Sequence, residues 1–306
     1  MKSCKACQRP LMNPVAGTYS VCFGCQSANY ISDETAETDN NRYFDSVYSE
    51  PPVKPIANRR SAFVKYERLY SLFHRQATRR FLSILDRLAH TICSAGAALE
   101  VGFGRGDELI QFLSQGANIY GVDINSEAVT RFQARHPIYA DRVATVSDWR
   151  ASVDVLYSNA VFEHLDHPGE FLRRAWATLK PNGKLLMRLP VITCDRYAES
   201  DIAEDINFWR PCHRALYTIN GLKALLGNNG FEIVDSNGYV YYGYKVMSAM
   251  LRHGYRDIEV MRDPCLPIKR LESDASYTKM LRHGLLKKTI CADFAFIAVK
   301  SARVGT

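Results

Sequence analysis

The sequence predicts an α/β fold preceded by a small metal-binding module, and three observations carry that reading. From Gly96 onward, short apolar runs alternate with stretches of helical periodicity. The first run, Ala97 to Val101, breaks into glycines at alternate positions, Gly102, Gly104 and Gly106, and a helical pattern follows at once. Strand, glycine loop and helix let backbone N–H groups approach a ligand where a Cβ would obstruct it. Residues 1–30, finally, hold the pairs Cys4-x-x-Cys7 and Cys22-x-x-Cys25.

The chain has 306 residues, enough for one large α/β domain and a smaller module. No apolar run reaches the roughly 18 residues of a membrane span. The start, Met1 to Cys7, lacks the apolar stretch of a signal peptide, so a soluble, cytoplasmic protein is expected. The net charge of +7 is unevenly placed. Residues 31–50 carry six acids against Arg42, whereas residues 59–90 carry eight Lys and Arg against Glu67 and Asp86. A basic stretch of that kind suits nucleic acid or an anionic substrate. It equally suits the solvated face of an amphipathic helix, because Phe63, Leu69, Leu72, Phe73, Phe81, Leu82, Leu85 and Leu88 interleave with the charges.

In chain order, residues 1–30 come first. Two Cys-x-x-Cys pairs each form a knuckle, and four thiolates close a tetrahedral Zn²⁺ site of structural type, with Cys4, Cys7, Cys22 and Cys25 as ligands. Bound metal lets a segment too small for its own core fold. A redox motif is the alternative, but it opens a helix after a strand and does not come doubled. Residues 31–58 read as a linker, acidic and then stiffened by Pro51, Pro52 and Pro55, with Tyr43, Phe44 and Tyr48 as aromatic exceptions. Residues 59–95 form a helical lead-in, 96–190 a cofactor-binding core, and 191–306 a substrate lid with C-terminal strands.

Within the core, a dinucleotide loop requires glycine at 107, and this chain has Asp107. The strand Asn118 to Ile124 ends in Asp123, whose carboxylate can accept both ribose hydroxyls of a nucleoside. A helix runs from Ser126 to Arg135, capped by Asn125 or Ser126. A third strand, Arg142 to Val146, leads to Asp148 and Trp149. Val153 to Asn159 is the fourth strand, followed by Phe162-Glu163-His164 and a helix opening at Pro168. Strand five is Lys184 to Leu189. Residues 190–217 then break the sheet pattern, and their Arg, His and aromatic content suits a cover over the strand ends.

The E-x-G-x-G-x-G at Glu100–Gly106 resembles motif I of the class I S-adenosylmethionine-dependent methyltransferases. The series D-V-L-Y-S-N-A-V-F-E-H-L…P…L-K-P-N-G-K-L-L-M closely resembles the small-molecule branch of that family, which includes quinone-biosynthesis and sugar enzymes. The likeness covers residues 95–235. It implies a Rossmann-like seven-stranded mixed sheet with helices on both faces, and S-adenosylmethionine as cofactor. It also implies a cofactor site at Glu100, Gly102, Gly104, Gly106, Asp123, Ile124, Asp148, Trp149 and Asn159. In the family the acid after strand three bonds the adenine amine and the adjacent apolar residue packs on the ring. Asp148 and Trp149 hold those positions, with a helix cap and a core aromatic as their plain alternatives. The cysteine pairs followed by Tyr43, Phe44 and Tyr48 resemble more loosely a bacterial subgroup in which a zinc module precedes a class I domain acting on nucleotide sugars, polysaccharides or secondary metabolites.

Methyl transfer requires an in-line approach and removal of the acceptor's proton. His164, after strand four, and His213, in the cover, are the candidate bases, with His167 third; Glu163 is placed to orient His164, and Tyr43 and Tyr217 to line the acceptor pocket. The expected function is methyl transfer to a small-molecule acceptor, a sugar or polysaccharide precursor or a secondary metabolite. An RNA methyltransferase using the zinc module and basic helices is the alternative. Ser158-Asn159-Ala160-Val161 lacks the N/D-P-P-Y/F pattern of base-amino methylation, and Pro211-Cys212 is misplaced for cytosine C5 chemistry. A non-catalytic or protein-directed scaffold is the third class. The acceptor, the methylated atom, the base and the oligomeric state stay open.

Overall fold

The structure, a computed structural model, describes residues 3–9, 11, 19–22, 24–31, 62–149, 152–194, 196–208, 213–252, 278–279, 281–282 and 289–301. The linker proper, with Tyr43, Phe44 and Tyr48, lies outside the described residues, as do Trp209–Cys212 and most of 250–290.

The elements are, in order, β1 (Tyr19–Val21), β2 (Ala28–Tyr30), α1 (Ala62–Phe73), α2 (Arg75–Cys93), β3 (Ala98–Val101), α3 (Asp107–Ser114), β4 (Ile119–Asp123), α4 (Ser126–Arg135) and β5 (Val143–Thr145). They continue as β6 (Val153–Asn159), α5 (Pro168–Thr178), β7 (Leu179–Ile192), α6 (Glu199–Glu204), β8 (Ala215–Thr218), α7 (Ile219–Asn228), β9 (Phe231–Tyr239), α8 (Tyr242–Arg252) and β10 (Cys291–Lys300).

The main sheet runs β5-β4-β3-β6-β7-β10-β9. Strands β3 to β7 pair in parallel, and β10 is antiparallel to both neighbours. Because side chains alternate along a strand, neighbours in sequence serve opposite layers. Ala98, Leu186 and Ile297 pack with Phe81, Ile84 and Leu88 of α2 and Leu109 of α3. Leu99, Leu185, Met187 and Phe296 pack with Phe171 and Leu172 of α5 and Leu222 and Leu225 of α7. Helices therefore cover both faces, as the sequence predicts. Asn125, not Ser126, caps α4, its side chain accepting from the N–H groups of Glu127 and Ala128.

The predicted count of seven strands is corrected to ten among the described residues. Residues 190–217 do not all leave the sheet. Val191 and Ile192 prolong β7 past the end of β6, and their open edge is taken by Tyr217 and Thr218 of β8. Pro190, the apparent breaker, sits between the last β6 pairing at Arg188 and the first β8 pairing at Val191, where that edge has no partner to lose. β8 then pairs antiparallel with β2, and β2 with β1. The cysteine-bearing segment is thus stitched to the sheet above the exit of β6.

Candidate active site

The glycine loop leaves β3 through three left-handed residues, with φ of 76° at Gly102, 56° at Gly104 and 75° at Gly106. A Cβ on Gly102 would drive into Val161 Cγ2, and one on Gly106 into the Phe132 ring. Gly102→Ala is therefore expected to cost on the order of 2–4 kcal/mol of stability, from the φ penalty and overpacking together. Chemical denaturation of the unliganded protein measures this.

Three carboxylates surround the loop. Asp123, buried at the end of β4, accepts the Gly104 N–H through Oδ2 at 2.8 Å and the Asn125 N–H through Oδ1 at 2.9 Å. Glu108, on the first turn of α3, accepts from Tyr157 Oη at 2.7 Å and Asn159 Nδ2 at 3.0 Å through Oε2. Its Oε1 lies 3.6 Å from Arg188 Nη1. Glu100 is buried in β3, and its Oε2 has no hydrogen-bond partner among the described residues. Burial first, then the charges of Glu108 and Asp123, push the Glu100 carboxyl well above the usual carboxylate range. Burial likewise raises Asp123, against the opposing backbone N–H groups.

An acid whose pKa is higher folded than unfolded binds an extra proton in the fold. Stability then falls as pH rises from the ordinary carboxylate range toward the raised value. Glu100→Gln removes that penalty. The variant's thermal midpoint is expected to exceed the parent's by about 2–4 °C near neutral pH and to match it at about pH 4, where both side chains are neutral.

At the exit of β6, Ala160 takes a left-handed φ of 52°, uncommon for a residue with a Cβ and frequent at functional turns. The turn brings together the three predicted acid–base residues. His164 Nε2 is 3.9 Å from Glu163 Oε1, and the His164 and His213 rings meet edge to face at 4.9 Å. All three are buried. His213 Nδ1 lies 2.8 Å from the Asn207 carbonyl. A carbonyl only accepts, so Nδ1 carries a hydrogen. Tyr217 is fully buried in β8 against Phe162, and burial and the Glu163 charge hold its hydroxyl well above its usual range. His167 occupies the N-cap position of α5 without a side-chain capping bond.

The remaining predicted cofactor residues are spread along the strand ends. Ile124 is 65 % exposed just past Asp123. Asp148 ends a short 3₁₀ turn and accepts from Thr145 Oγ1 at 3.2 Å. Trp149 turns to α5, giving its indole N–H to Thr178 Oγ1 at 2.8 Å, with Phe171 edge-on and the Arg174 guanidinium 4.4 Å over its ring.

The four cysteines of residues 1–30 converge. Cys4 and Cys25 Sγ are 3.6 Å apart and Cys7 and Cys22 Sγ 3.4 Å. Tetrahedral zinc with Zn–S near 2.3 Å places its sulfurs about 3.8 Å apart, so the donor set fits that ion in chemistry and spacing. The Cys25 thiol, with backbone N–H groups and Asn29, pulls the Cys4 thiol down to about 5. A second cluster able to ligate, Glu163, His164 and His213, is the acid–base group itself.

The cysteine segment grips the acid–base turn at several points. Lys5, inside the first knuckle, pairs with Asp166 at 2.9 Å. Tyr19 Oη donates to the His213 carbonyl at 3.0 Å, and the Tyr30 N–H to the Arg214 carbonyl at 2.9 Å. Arg214, itself buried, donates its backbone N–H to the Glu163 carbonyl and places its guanidinium over Tyr30. Thr218 Oγ1 donates to the Cys25 carbonyl at 2.5 Å.

Sequence reasoning missed a charged network over β6, β7 and β10. Arg188 binds Asp293 through Nε at 2.8 Å and Nη2 at 2.6 Å, and reaches Tyr241 Oη at 3.0 Å and Glu108. The signal was present: Arg188 and Asp293 interrupt the apolar runs of residues 185–192 and 291–299, and a charge inside such a run needs a partner.

A sequence model of the methyltransferase-domain family matches residues 73–236. A protein of Mycolicibacterium smegmatis named as a probable S-adenosylmethionine-dependent methyltransferase is 28 % identical over 207 residues, covering 66 % of this chain and 75 % of that protein. Geranyl diphosphate C-methyltransferase from Streptomyces coelicolor, solved with Mg²⁺, geranyl diphosphate and S-adenosyl-L-homocysteine, aligns with a TM-score of 0.54 at 13 % identity, over 88 % of this chain and all of that one. The cyclase SpnF aligns at 0.52 with 16 % identity, over 89 % and 98 %. At these identities the structures speak to the fold alone.

Proposed function

This chain belongs to the methyltransferase-domain family and is an S-adenosylmethionine-dependent enzyme; on that premise we propose that its methyl acceptor is a small molecule, a sugar or polysaccharide precursor or a secondary metabolite. The observation that carries the donor side is the glycine loop ringed by Glu100, Glu108 and Asp123. Acids that repel one another around a loop kept clear of side chains suit a ligand that is cationic at sulfur and nitrogen and carries a ribose diol.

In this reading Gly102, Gly104 and Gly106 let the backbone approach the donor. Asp123 accepts from the ribose hydroxyls, Ile124 packs on the adenine, and Asp148 takes the adenine amine. Trp149, committed to α5, supports that wall from behind, and Asn159 with Glu108 borders the methionine end. S-adenosylmethionine, when bound, supplies a methyl group on a positively charged sulfur. The chain's task is then to align the acceptor and accept its proton. His164 is the base, with Glu163 beside it, and His213, whose Nδ1 donates to the Asn207 carbonyl, stands against it from the segment before β8. Arg188, level with the end of β6, and Tyr241, just past β9, present donors to the oxygens of a polar acceptor.

Cys4, Cys7, Cys22 and Cys25 would hold Zn²⁺ as a structural ion, since four thiolates would satisfy it and leave no position for substrate. Elemental analysis should give about one zinc per chain. The acceptor assignment is tested by incubating the protein and methyl-labelled S-adenosylmethionine with a cell extract separated into metabolite, RNA and protein fractions. Label in the metabolite fraction supports the reading; label confined to RNA or protein overturns it.

A further inference from the structure

We infer that the outward face of the α1–α2 helix pair is a docking surface for an anionic lipid membrane. The two helices are nearly continuous. The N–H of His74 bonds to the Tyr70 carbonyl and that of Thr78 to the His74 carbonyl, across a single distorted residue. The inward side is fixed. Tyr70 is buried against Tyr242, donates its hydroxyl to the Val240 carbonyl at 2.8 Å, and is followed at helical spacing by Phe81, Ile84, Leu88 and Ile92. The opposite side should be polar, yet Leu72 is 69 % and Phe73 77 % exposed, with Leu69 at 38 % beside them.

Charge selects the occupant. Lys65 and Arg68 precede this apolar tip and Arg79 and Arg80 follow it, all exposed. Glu67 and Asp86 are exposed as well, but between residues 65 and 80 Lys65, Arg68, Arg75, Arg79 and Arg80 stand against Glu67. Apolar side chains projecting from a basic helical face bury themselves at the headgroup boundary while the cations meet anionic lipid. A second copy of this chain fits poorly, because a two-fold contact would set one arginine cluster against the other. RNA would use the arginines but would leave Leu69 and Leu72 without a role, since aliphatic side chains offer bases no stacking plane. Among the described residues no helix is long and apolar enough to cross a membrane, so the attachment is peripheral.

The test is co-sedimentation with vesicles of phosphatidylglycerol and phosphatidylcholine, compared with phosphatidylcholine alone. The full chain should bind the anionic vesicles, bind less as salt rises, and lose affinity by about tenfold or more in Leu72→Asp/Phe73→Asp with an unchanged thermal midpoint. Arg79→Glu/Arg80→Glu should weaken it as well. No binding to anionic vesicles at low salt overturns the inference. So does vesicle binding that ignores the Leu72 and Phe73 substitutions, and so does capture of RNA or an acidic protein in preference to vesicles. None of these outcomes depends on the acceptor of the methyl group.

Discussion

Stripping the metal, or replacing Cys4 by serine, is expected to lower kcat/KM for methyl transfer by about 10²-fold or more while leaving S-adenosylmethionine affinity within about twofold. The split follows from where the cysteine segment attaches. It touches the acid–base side through Lys5 to Asp166, Tyr19 to the His213 carbonyl, Tyr30 to the Arg214 carbonyl and Cys25 to Thr218. The glycine loop and the end of β4 are instead held by the sheet, by Val161 and by Phe132. Without metal the knuckles have too little apolar surface to hold their shape, and the peptide bearing His213 loses its anchor. Lys5→Ala, which removes one contact and no ligand, should fall between wild type and Cys4→Ser. Calorimetry for the donor and a turnover assay separate the two halves. A parallel loss of both would make the segment a requirement of the whole fold, not of the acceptor side.

Asp123→Ala is expected to weaken S-adenosylmethionine by about 100-fold, because it deletes charge-assisted bonds to the donor and to the loop together. The Gly104 and Asn125 N–H groups lose their shared acceptor, so the loop also loses its preset shape. Asp123→Asn should recover part of the affinity only, since one oxygen is replaced by a donor facing N–H groups. Burial raises the Asp123 pKa, so donor affinity should begin to fall at a higher pH than an ordinary aspartate would dictate. Titration calorimetry across the acidic range reads this directly.

Much of the donor half was legible because its determinants are local. Gly102, Gly104 and Gly106 sit in one loop, and the φ values that demand glycine belong to that loop's own backbone. β6 and the alternation from β3 through α5 follow periodicity in continuous stretches. The missed features depend on contacts between distant residues. Nothing near Pro190 announces that Val191 and Ile192 regain a partner at Tyr217 and Thr218. Nothing in the Cys-x-x-Cys spacing announces that Asn29 and Ala215 share a ladder. Trp149 illustrates a competition that sequence cannot weigh: the same indole suits an adenine or a helix, and here Thr178, Phe171 and Arg174 hold it on the helix side. Glu163 and His164 lie in one stretch and His213 in another, and only the fold sets the three buried side chains against one another.

If a glycine loop ringed by acids binds the cationic methyl donor, donor affinity must register the loss of one of those acids. Isothermal titration of S-adenosylmethionine into the wild-type protein and Glu100→Gln tests it most directly. Saturable binding to the wild type and a loss of about tenfold or more in the variant are expected, in spite of its higher thermal midpoint. Equal affinity in the two proteins, or no binding to the wild type, would contradict it.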